Sequence, residues 1–255
     1  MRIKRETIGN STLYLGNCED ILPTLKPVQL VVTDPPYELS DNSPNPPDYF
    51  KSLQKFDDNQ FKELTNSFNI EPIFKMMRDI CKPFHCFCFC SNKQISRLMT
   101  INEEQGFPTT LLVWHKTNAV PFANGVWRGD IEYIVHIREQ GSYFQGDATI
   151  KKKVFNHPIV VNQDHPTKKP LQLLINYVLI GSEKHNTVLD PFMGSGTTGE
   201  ACIATDRHFI GIEQNPKHFE TAVRTIEKAY KDSQHQMFKH HELRTSPKPQ
   251  TGLLI

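Results

Sequence analysis

The residues best suited to chemistry are an acid, two prolines and an aromatic residue in succession, Asp34, Pro35, Pro36 and Tyr37. They follow the apolar run 30–32, which predicts a buried strand that delivers the acid at its end. Each proline lacks an N–H and keeps the residue before it extended, so the carbonyls of Asp34 and Pro35 are held as acceptors. Acceptors beside a flat ring suit an exocyclic amino group on a heterocycle. This pattern points to chemistry on a nucleobase, although four such residues alone also fit an ordinary proline turn.

A second group of candidate residues forms a glycine-containing turn between a predicted strand, 187–189, and a predicted helix, 200–204. The turn consists of Asp190, Pro191, Phe192, Met193, Gly194, Ser195, Gly196, Thr197 and Thr198. Its two glycines let the backbone approach a ligand closely. The turn lacks both the lysine of a phosphate loop and the third glycine of a dinucleotide site. The next predicted strand ends in Glu213, whose carboxylate can accept hydrogen bonds from ribose hydroxyls. The combination suits an adenosyl ligand without a pyrophosphate.

With a third block, these motifs resemble the amino-group DNA methyltransferases of the β arrangement, in which the catalytic motif precedes the cofactor motif. The third block is His165, Pro166, Thr167, Lys168, Lys169 and Pro170, and the resemblance covers residues 10–230. It implies S-adenosylmethionine as methyl donor and adenine or cytosine in double-stranded DNA as acceptor. Asp34 favours the N6 amine of adenine, since relatives that methylate N4 of cytosine more often carry Ser there. Two further interpretations are an RNA or protein methyltransferase and an inactive DNA-binding homologue.

The resemblance also implies a role for individual residues. The catalytic residues are Asp34, Pro35, Pro36 and Tyr37. The cofactor-binding residues are Asn17, Cys18, Asp34, Thr167, Lys169, Asp190, Pro191, Phe192, Met193, Gly194, Ser195, Gly196, Thr197 and Glu213. Many relatives carry Asp where this chain has Asn17, a position near the cofactor adenine; an asparagine still accepts at its carbonyl and also donates. Lys169 is expected to meet the carboxylate of the cofactor, and no metal is expected.

The order of predicted elements indicates an α/β fold with a doubly wound, mostly parallel sheet and helices on both faces. The resemblance implies seven strands. Strands are predicted at 11–15, 29–33, 84–90, 109–115, 131–137, 187–189 and 208–212, of which 109–115 and 131–137 are candidates for an antiparallel edge. Helices are predicted at 19–25, 93–104, 170–179 and 216–231, and two helical pieces are predicted within 61–82, broken near Pro72, which suits the first turn of the second piece. Ligands of such sheets bind beyond the carboxyl ends of the strands, so Asp34, Asp190 and Glu213 are expected to meet there.

The chain is predicted to form one methyltransferase domain, residues 1–231, followed by a disordered polar tail, 232–255. Residues 38–60 are rich in Pro, Asn, Asp and Ser, which is typical of a long mobile loop. Residues 116–164 contain many side chains that can read base edges or stack on bases, and they form the candidate DNA-recognition region. Family relatives are often dimers, so a second copy of the chain is a candidate partner, and a companion restriction endonuclease is another.

Composition sets limits on partners and compartment. The net charge of the 255 residues is +1, so a basic DNA-contacting face would have to be local, as at 151–153. No signal sequence or apolar run of membrane-spanning length is visible, and a cytoplasmic protein without a membrane partner is expected. Cys86, Cys88 and Cys90 alternate with two phenylalanines, which predicts one face of a buried strand rather than a metal site.

Overall fold

The computed structural model describes residues 3–36, 69–119, 127–159 and 168–245, with side chains as far as His235. Within these residues, nine strands form one sheet in the order β1-β2-β9-β8-β3-β4-β6-β5-β7. The strands are β1 Lys4–Ile8, β2 Ser11–Leu15, β3 Leu30–Thr33, β4 His85–Cys90, β5 Thr109–Lys116, β6 Ile131–Arg138, β7 Val154–His157, β8 Thr187–Asp190 and β9 His208–Glu213. The five central strands β2, β9, β8, β3 and β4 run parallel.

Helices cover both faces of this sheet. They are α1 Cys18–Ile21, which continues into a 3₁₀ turn Leu22–Thr24, then α2 Ile70–Ile80, α3 Gln94–Glu103, α4 Leu171–Gly181, α5 Thr197–Ala204 and α6 Pro216–Thr245. Buried side chains of α4, α5 and α6 belong to one apolar cluster. Those of α1, α2 and α3 belong to a second cluster on the other face. The predicted doubly wound α/β fold is therefore confirmed.

The strand count differs from the expected seven because two short strands extend the sheet at its edges. β1 pairs antiparallel with β2 across a turn at Gly9, whose φ of 53° is in the left-handed region. β7 adds in parallel to β5, so β7 rather than β5 is the edge strand. The predicted antiparallel arrangement of β5 and β6 is confirmed. An edge strand needs only one hydrogen-bonded neighbour, so neither added strand carries the continuous apolar run of a central strand.

β4 lies in the middle of the core and separates its two clusters. All six residues are buried. Cys86, Cys88 and Cys90 pack into one cluster, whereas Phe87 and Phe89 pack into the other. The prediction of a buried strand with its three sulfurs on one face is confirmed. Burial raises the pKa of the Cys90 thiol to about 12, so these cysteines behave as small apolar residues.

The predicted place of Pro72 at the start of a helix is confirmed, because Pro72 lies in the first turn of α2, where a backbone N–H has no helical partner. The side chain of Asn69 caps this helix by accepting from the N–H of Glu71 at 3.2 Å. α6 continues to Thr245 instead of ending at Lys231, so the residues from Asp232 to Thr245 are helical rather than disordered. Lys228 and Asp232 pair at 2.7 Å across one turn of this helix.

Four predicted segments lie wholly or partly outside the described residues. They are the loop 38–60, the first helical piece predicted within 61–82, parts of the recognition region 116–164, and residues 246–255 of the predicted tail. None of the described helices is both long enough and apolar enough to cross a bilayer.

A buried histidine pair links β4 and β6. The Nε2 atoms of His85 and His136 are 2.9 Å apart, and the ring of His136 stacks on Phe87 with centroids 4.3 Å apart. Burial lowers the pKa of His85 to about 3 and that of His136 to about 4. Both rings are therefore neutral near pH 7, as expected for histidines with a structural role.

We expect this histidine pair to lower the free energy of unfolding at acidic pH. The unfolded chain takes up protons below the ordinary histidine pKa of 6.5, whereas the folded pair does not, so its contribution to the free energy of unfolding falls as the pH drops from 6.5 toward 4. Urea unfolding of the wild type and of His136→Phe, each at about pH 7.5 and about pH 5, measures this contribution. The phenylalanine keeps the stacked ring and should lose less stability in acid. Equal losses in the two proteins would refute the assignment.

Candidate active site

The two motifs found in the sequence line one cleft at the carboxyl ends of β3 and β8. These strands are parallel neighbours, with Val31 opposite Leu189. The residues around the cleft are Val32, Thr33, Asp34, Phe89, Lys168, Lys169, Leu174, Asp190, Phe192, Met193, Gly194, Ser195, Thr197 and Thr198. The expected meeting of Asp34 with the glycine turn is thus present in the structure. A larger cavity, of about 230 Å³, lies elsewhere, between β7 and α4.

Asp190, the last residue of β8, fixes the glycine turn through hydrogen bonds of its side chain. Its Oδ1 accepts from the hydroxyl of Thr33 at 3.0 Å and from the N–H of Phe192 at 3.1 Å, and its Oδ2 accepts from the hydroxyl of Thr198 at 2.7 Å. Burial raises the pKa of this carboxyl to about 7. These contacts join β3, β8 and the first turn of α5. In the structure, Asp190 therefore uses its carboxylate to fix neighbouring parts of the protein in place.

The turn itself depends on glycine at two positions. Gly194 and Gly196 have φ values of 49° and 83°, in the region that side-chain-bearing residues rarely adopt. A Cβ atom on Gly196 would also lie 3.0 Å from the Cα of Ala222 in α6. The N–H of Met193 donates to the carbonyl of Ile212 at 3.0 Å, which fixes the turn against β9. Pro191 and Ser195 are buried within it.

Glu213 ends β9 beside the turn. Its Oε2 accepts from the N–H of Gly194 at 3.0 Å and its Oε1 from the N–H of Asn215 at 2.8 Å. Burial raises the pKa of this carboxyl to about 7. The carboxylate therefore holds the glycine turn and retains lone pairs for a ligand hydroxyl.

Asn17 and Cys18 lie next to Glu213, because the N–H of Gly16 donates to the carbonyl of Glu213 at 2.9 Å. Asn17 is exposed, and its side chain caps α1 by accepting from the N–H of Glu19 at 3.0 Å. Cys18 is the first residue of α1 and is buried, and burial raises the pKa of its thiol to about 12. Both residues thus lie at the carboxyl end of β2, beside Glu213.

Lys169 lies beside the acid of the first motif. Its Nζ is 2.8 Å from Asp34 Oδ2 and 2.9 Å from Glu132 Oε2. Lys116 Nζ is in turn 2.9 Å from Glu132 Oε1. We call these four residues the charge network. Lys169, which was expected to meet a cofactor carboxylate, thus contacts two carboxylates of the protein in the structure.

Two residues near Asp34 were missed by the sequence analysis. Glu132 is an acid within the apolar pattern of β6, and alternation alone would place it on the surface. Gln94, at the start of α3, donates to the carbonyl of Pro36 at 3.2 Å and accepts from the N–H of Ser91 at 3.0 Å. It thereby ties the proline corner to α3. Pro35 is buried, whereas Tyr37 and Thr167 lie outside the described residues.

Comparison with known proteins adds three findings to this geometry. Residues 28–224 match the N6/N4 methyltransferase family model, which is described as DNA methylase. The chain is 29% identical over 237 residues to the type II methyltransferase M2.MboI of Moraxella bovis, covering 84% of this chain and 87% of that one. It is 40% identical over 83 residues to the DNA adenine methyltransferase YhdJ of Escherichia coli, covering 32% of this chain and 28% of YhdJ.

A solved structure gives the same result. The crystal structure of the complex of M1.HpyAVI with SAM superposes with a TM-score of 0.66 at 25% identity, covering 85% of this chain and 98% of the other. The family model spans most of the chain and includes both motifs of the cleft. The chain therefore belongs to the N6/N4 DNA methylase family and is a DNA methyltransferase.

Proposed function

We propose that this chain moves a methyl group from S-adenosylmethionine to the N6 amine of an adenine flipped out of a specific site in duplex DNA. The observation that carries the proposal is the single cleft that Asp34 shares with the glycine turn. The named activity of YhdJ supports adenine as the acceptor. Sequencing DNA from a host that expresses the protein, with modified bases identified, tests the proposal and gives the target sequence.

The residues around the cleft fit the proposed cofactor. When bound, S-adenosylmethionine supplies a methyl group on a positively charged sulfur. Glu213 offers carboxylate oxygens for ribose hydroxyls, and Asn17 offers an acceptor and a donor for the adenine. The left-handed glycines expose backbone where a side chain would block the ligand. Lys169 lines the same cleft beside Asp34, and its ammonium is proposed to meet the carboxylate of the methionine moiety.

Asp34 and Pro35 are proposed to activate the target amine without a general base. The lone pair of an adenine amine is delocalised into the ring, so the amine is a poor nucleophile. Acceptors at the Asp34 carboxylate and the Pro35 carbonyl would hold its two N–H groups and favour a pyramidal nitrogen. They would also stabilise the positive charge that develops on nitrogen during transfer. The hydrogen bond from Gln94 to Pro36 keeps this corner rigid.

Base flipping costs roughly a few kcal/mol because stacking and pairing are lost. Tyr37 is proposed to stack on the flipped base, which returns about 1–3 kcal/mol. Phe192, which lines the cleft, is proposed as a second apolar wall.

A second candidate is methylation of cytosine N4. The family model covers N6 and N4 enzymes alike, so the same cleft could hold either base. Chromatographic and mass analysis of methylated nucleosides separates N6-methyladenine from N4-methylcytosine.

We infer that DNA lies against the edge formed by the end of β5, the start of β6 and the end of β7. The antiparallel pairing of Cys90 with Tyr133 places the start of β6 at the edge where β4 ends, beside the cleft. Trp127, just before β6, is 98% exposed. Arg128 donates to the carbonyl of Ala119 and so joins the two ends of the connection between β5 and β6. This edge belongs to the region 116–164, which we propose as the recognition part of a single domain, 1–231.

Replacing Trp127 by alanine should weaken binding to duplex DNA by about tenfold, since base–aromatic contacts are worth about 1–3 kcal/mol. The chain has two tryptophans, and Trp114 is buried. The fluorescence change on adding DNA should therefore come from Trp127 and be absent in the alanine variant. Cofactor affinity, measured by calorimetry, should not change. Unaltered DNA affinity of Trp127→Ala would place DNA elsewhere.

The family resemblance also supports two protein partners, a second copy of the chain and a companion restriction endonuclease. Light scattering of the purified protein tests the first, and co-purification from the host tests the second.

A further inference from the structure

We propose that Glu132 is a positioning residue that sets the electrostatic potential at the target amine, and that it does so by sharing the ammonium group of Lys169 with Asp34. Lys116, at the far end of the charge network, forms an ion pair with Glu132 and compensates its negative charge. The inference rests on the proposed function, because it concerns the same methyl-transfer step.

Three of the four side chains in the charge network are shielded from water, whereas that of Asp34 is 33% exposed. Charges alternate along Asp34, Lys169, Glu132 and Lys116, with contacts of 2.8, 2.9 and 2.9 Å. The side chain of Lys169 is 8% exposed, and those of Glu132 and Lys116 are 17% exposed. Ions so placed interact more strongly than ions on the surface, and an unpaired one is costly. Although burial opposes its ionisation, Lys169 and Lys116 together hold the pKa of Glu132 below its usual range, so Glu132 is a carboxylate at neutral pH.

The sheet fixes this acid in position. Glu132 lies opposite Trp114 in the antiparallel pairing of β6 with β5. The ammonium of Lys116 lies 5.3 Å from the centre of the buried Trp114 ring, and that of Lys169 lies 5.1 Å from the centre of the Phe89 ring. Both cations are therefore held between a carboxylate and an aromatic face. Side chains held in this way can set a potential reproducibly, which mobile surface ions cannot.

The sign of the effect follows from the chemistry of the transfer. The target amine gains positive charge as it is methylated, so a more positive surrounding disfavours the transition state. With all four groups ionised, the charge network is neutral. Removing the carboxylate of Glu132 leaves the charge network one unit positive. Lys169 then no longer shares its ammonium group with Glu132, which strengthens its contact with Asp34 and weakens Asp34 as an acceptor. Removing the charge of Lys116 changes the potential in the opposite direction.

The test is a charge-balance cycle measured as the single-turnover rate of methyl transfer at saturating DNA and cofactor. Glu132→Gln should slow the transfer by about tenfold, because a net positive charge then lies near the reacting nitrogen. Lys116→Gln should have a smaller effect. The double variant is neutral again and should recover to within about threefold of the wild type.

A matched control is Glu71→Gln, which removes one carboxylate from an exposed ion pair with Arg97 at 3.1 Å on the helical face. It should transfer at the wild-type rate. Thermal unfolding of every variant separates slow transfer from loss of fold. If Glu132→Gln alone does not fold, the transfer rate of the neutral double variant is the test, and a rate within about threefold of the wild type supports the proposal.

If Glu132 served only in packing, the losses of transfer rate in the two single variants would add in the double variant. A double variant as slow as Glu132→Gln, or slower, would therefore overturn the proposal. Wild-type transfer by Glu132→Gln would overturn it too. In both cases the wild type still methylates DNA, so the proposed function stands. A wild type that transfers nothing to DNA would overturn the function and this inference together.

Discussion

Replacing Asp34 by alanine should reduce methyl transfer by about a thousandfold or more, while binding of S-adenosylmethionine largely survives. The variant loses the acceptor that holds the target amine and stabilises its developing charge. It does not leave a lone buried cation, because Lys169 still contacts Glu132 at 2.9 Å. Asp34→Asn keeps a carbonyl acceptor and should retain more activity than the alanine variant. Rapid-quench transfer assays and cofactor calorimetry on the same preparations measure the two quantities.

The control for this prediction is the fold of the variant, measured by thermal unfolding. Near-normal transfer by Asp34→Ala would remove the acceptor mechanism. A loss of cofactor affinity as large as the loss of rate would mean that Asp34 serves mainly to bind the cofactor.

Replacing Glu213 by alanine should weaken cofactor binding by about a hundredfold, since hydrogen bonds to a charged group are worth about 1.5–3 kcal/mol. The carboxylate has two roles to lose: it accepts from the N–H groups of Gly194 and Asn215, and it is proposed to accept from the ribose. Glu220→Ala, on the exposed side of α6, is the matched control. Equal cofactor affinities for Glu213→Ala and Glu220→Ala, measured by calorimetry, would show that Glu213 does not contribute to cofactor binding.

The pH dependence of cofactor binding tests the same residue in the intact protein. The pKa of Glu213 is raised to about 7, so the fraction present as carboxylate rises between about pH 6 and pH 8. Only the carboxylate offers both oxygens as acceptors, so wild-type affinity should increase over this interval. Glu213→Gln cannot ionise and should lose this part of the increase. Asp190 also has a pKa of about 7, so the difference between the two proteins is the quantity to measure.

The sequence predicted those parts of the fold that continuous apolar runs encode. The runs at 30–32 and 187–189 became the neighbouring strands β3 and β8, and they delivered Asp34 and Asp190 to one edge. β7 was missed because an edge strand carries no such run. The end of α6 was missed because the chain after Lys231 is polar, and composition alone does not distinguish a polar helix from a polar tail.

In the candidate active site, the sequence motifs predicted which residues line the cleft but not the contacts that their side chains make. Glu132 reaches Lys169 only because β6 lies beside β4 in a particular register, which no local pattern contains. Likewise, the partners of Asp190 include Thr33, a residue 157 positions earlier in the chain. Contacts of this kind depend on the pairing of distant strands and therefore emerge only from the three-dimensional structure.

The most direct test of the central claim is transfer of an isotopically labelled methyl group from S-adenosylmethionine to duplex DNA, followed by mass analysis of the nucleosides. The proposed function predicts label in N6-methyladenine, and about a thousandfold less transfer with Asp34→Ala. Label in N4-methylcytosine would contradict the choice of base, and no label in DNA would contradict the assigned reaction.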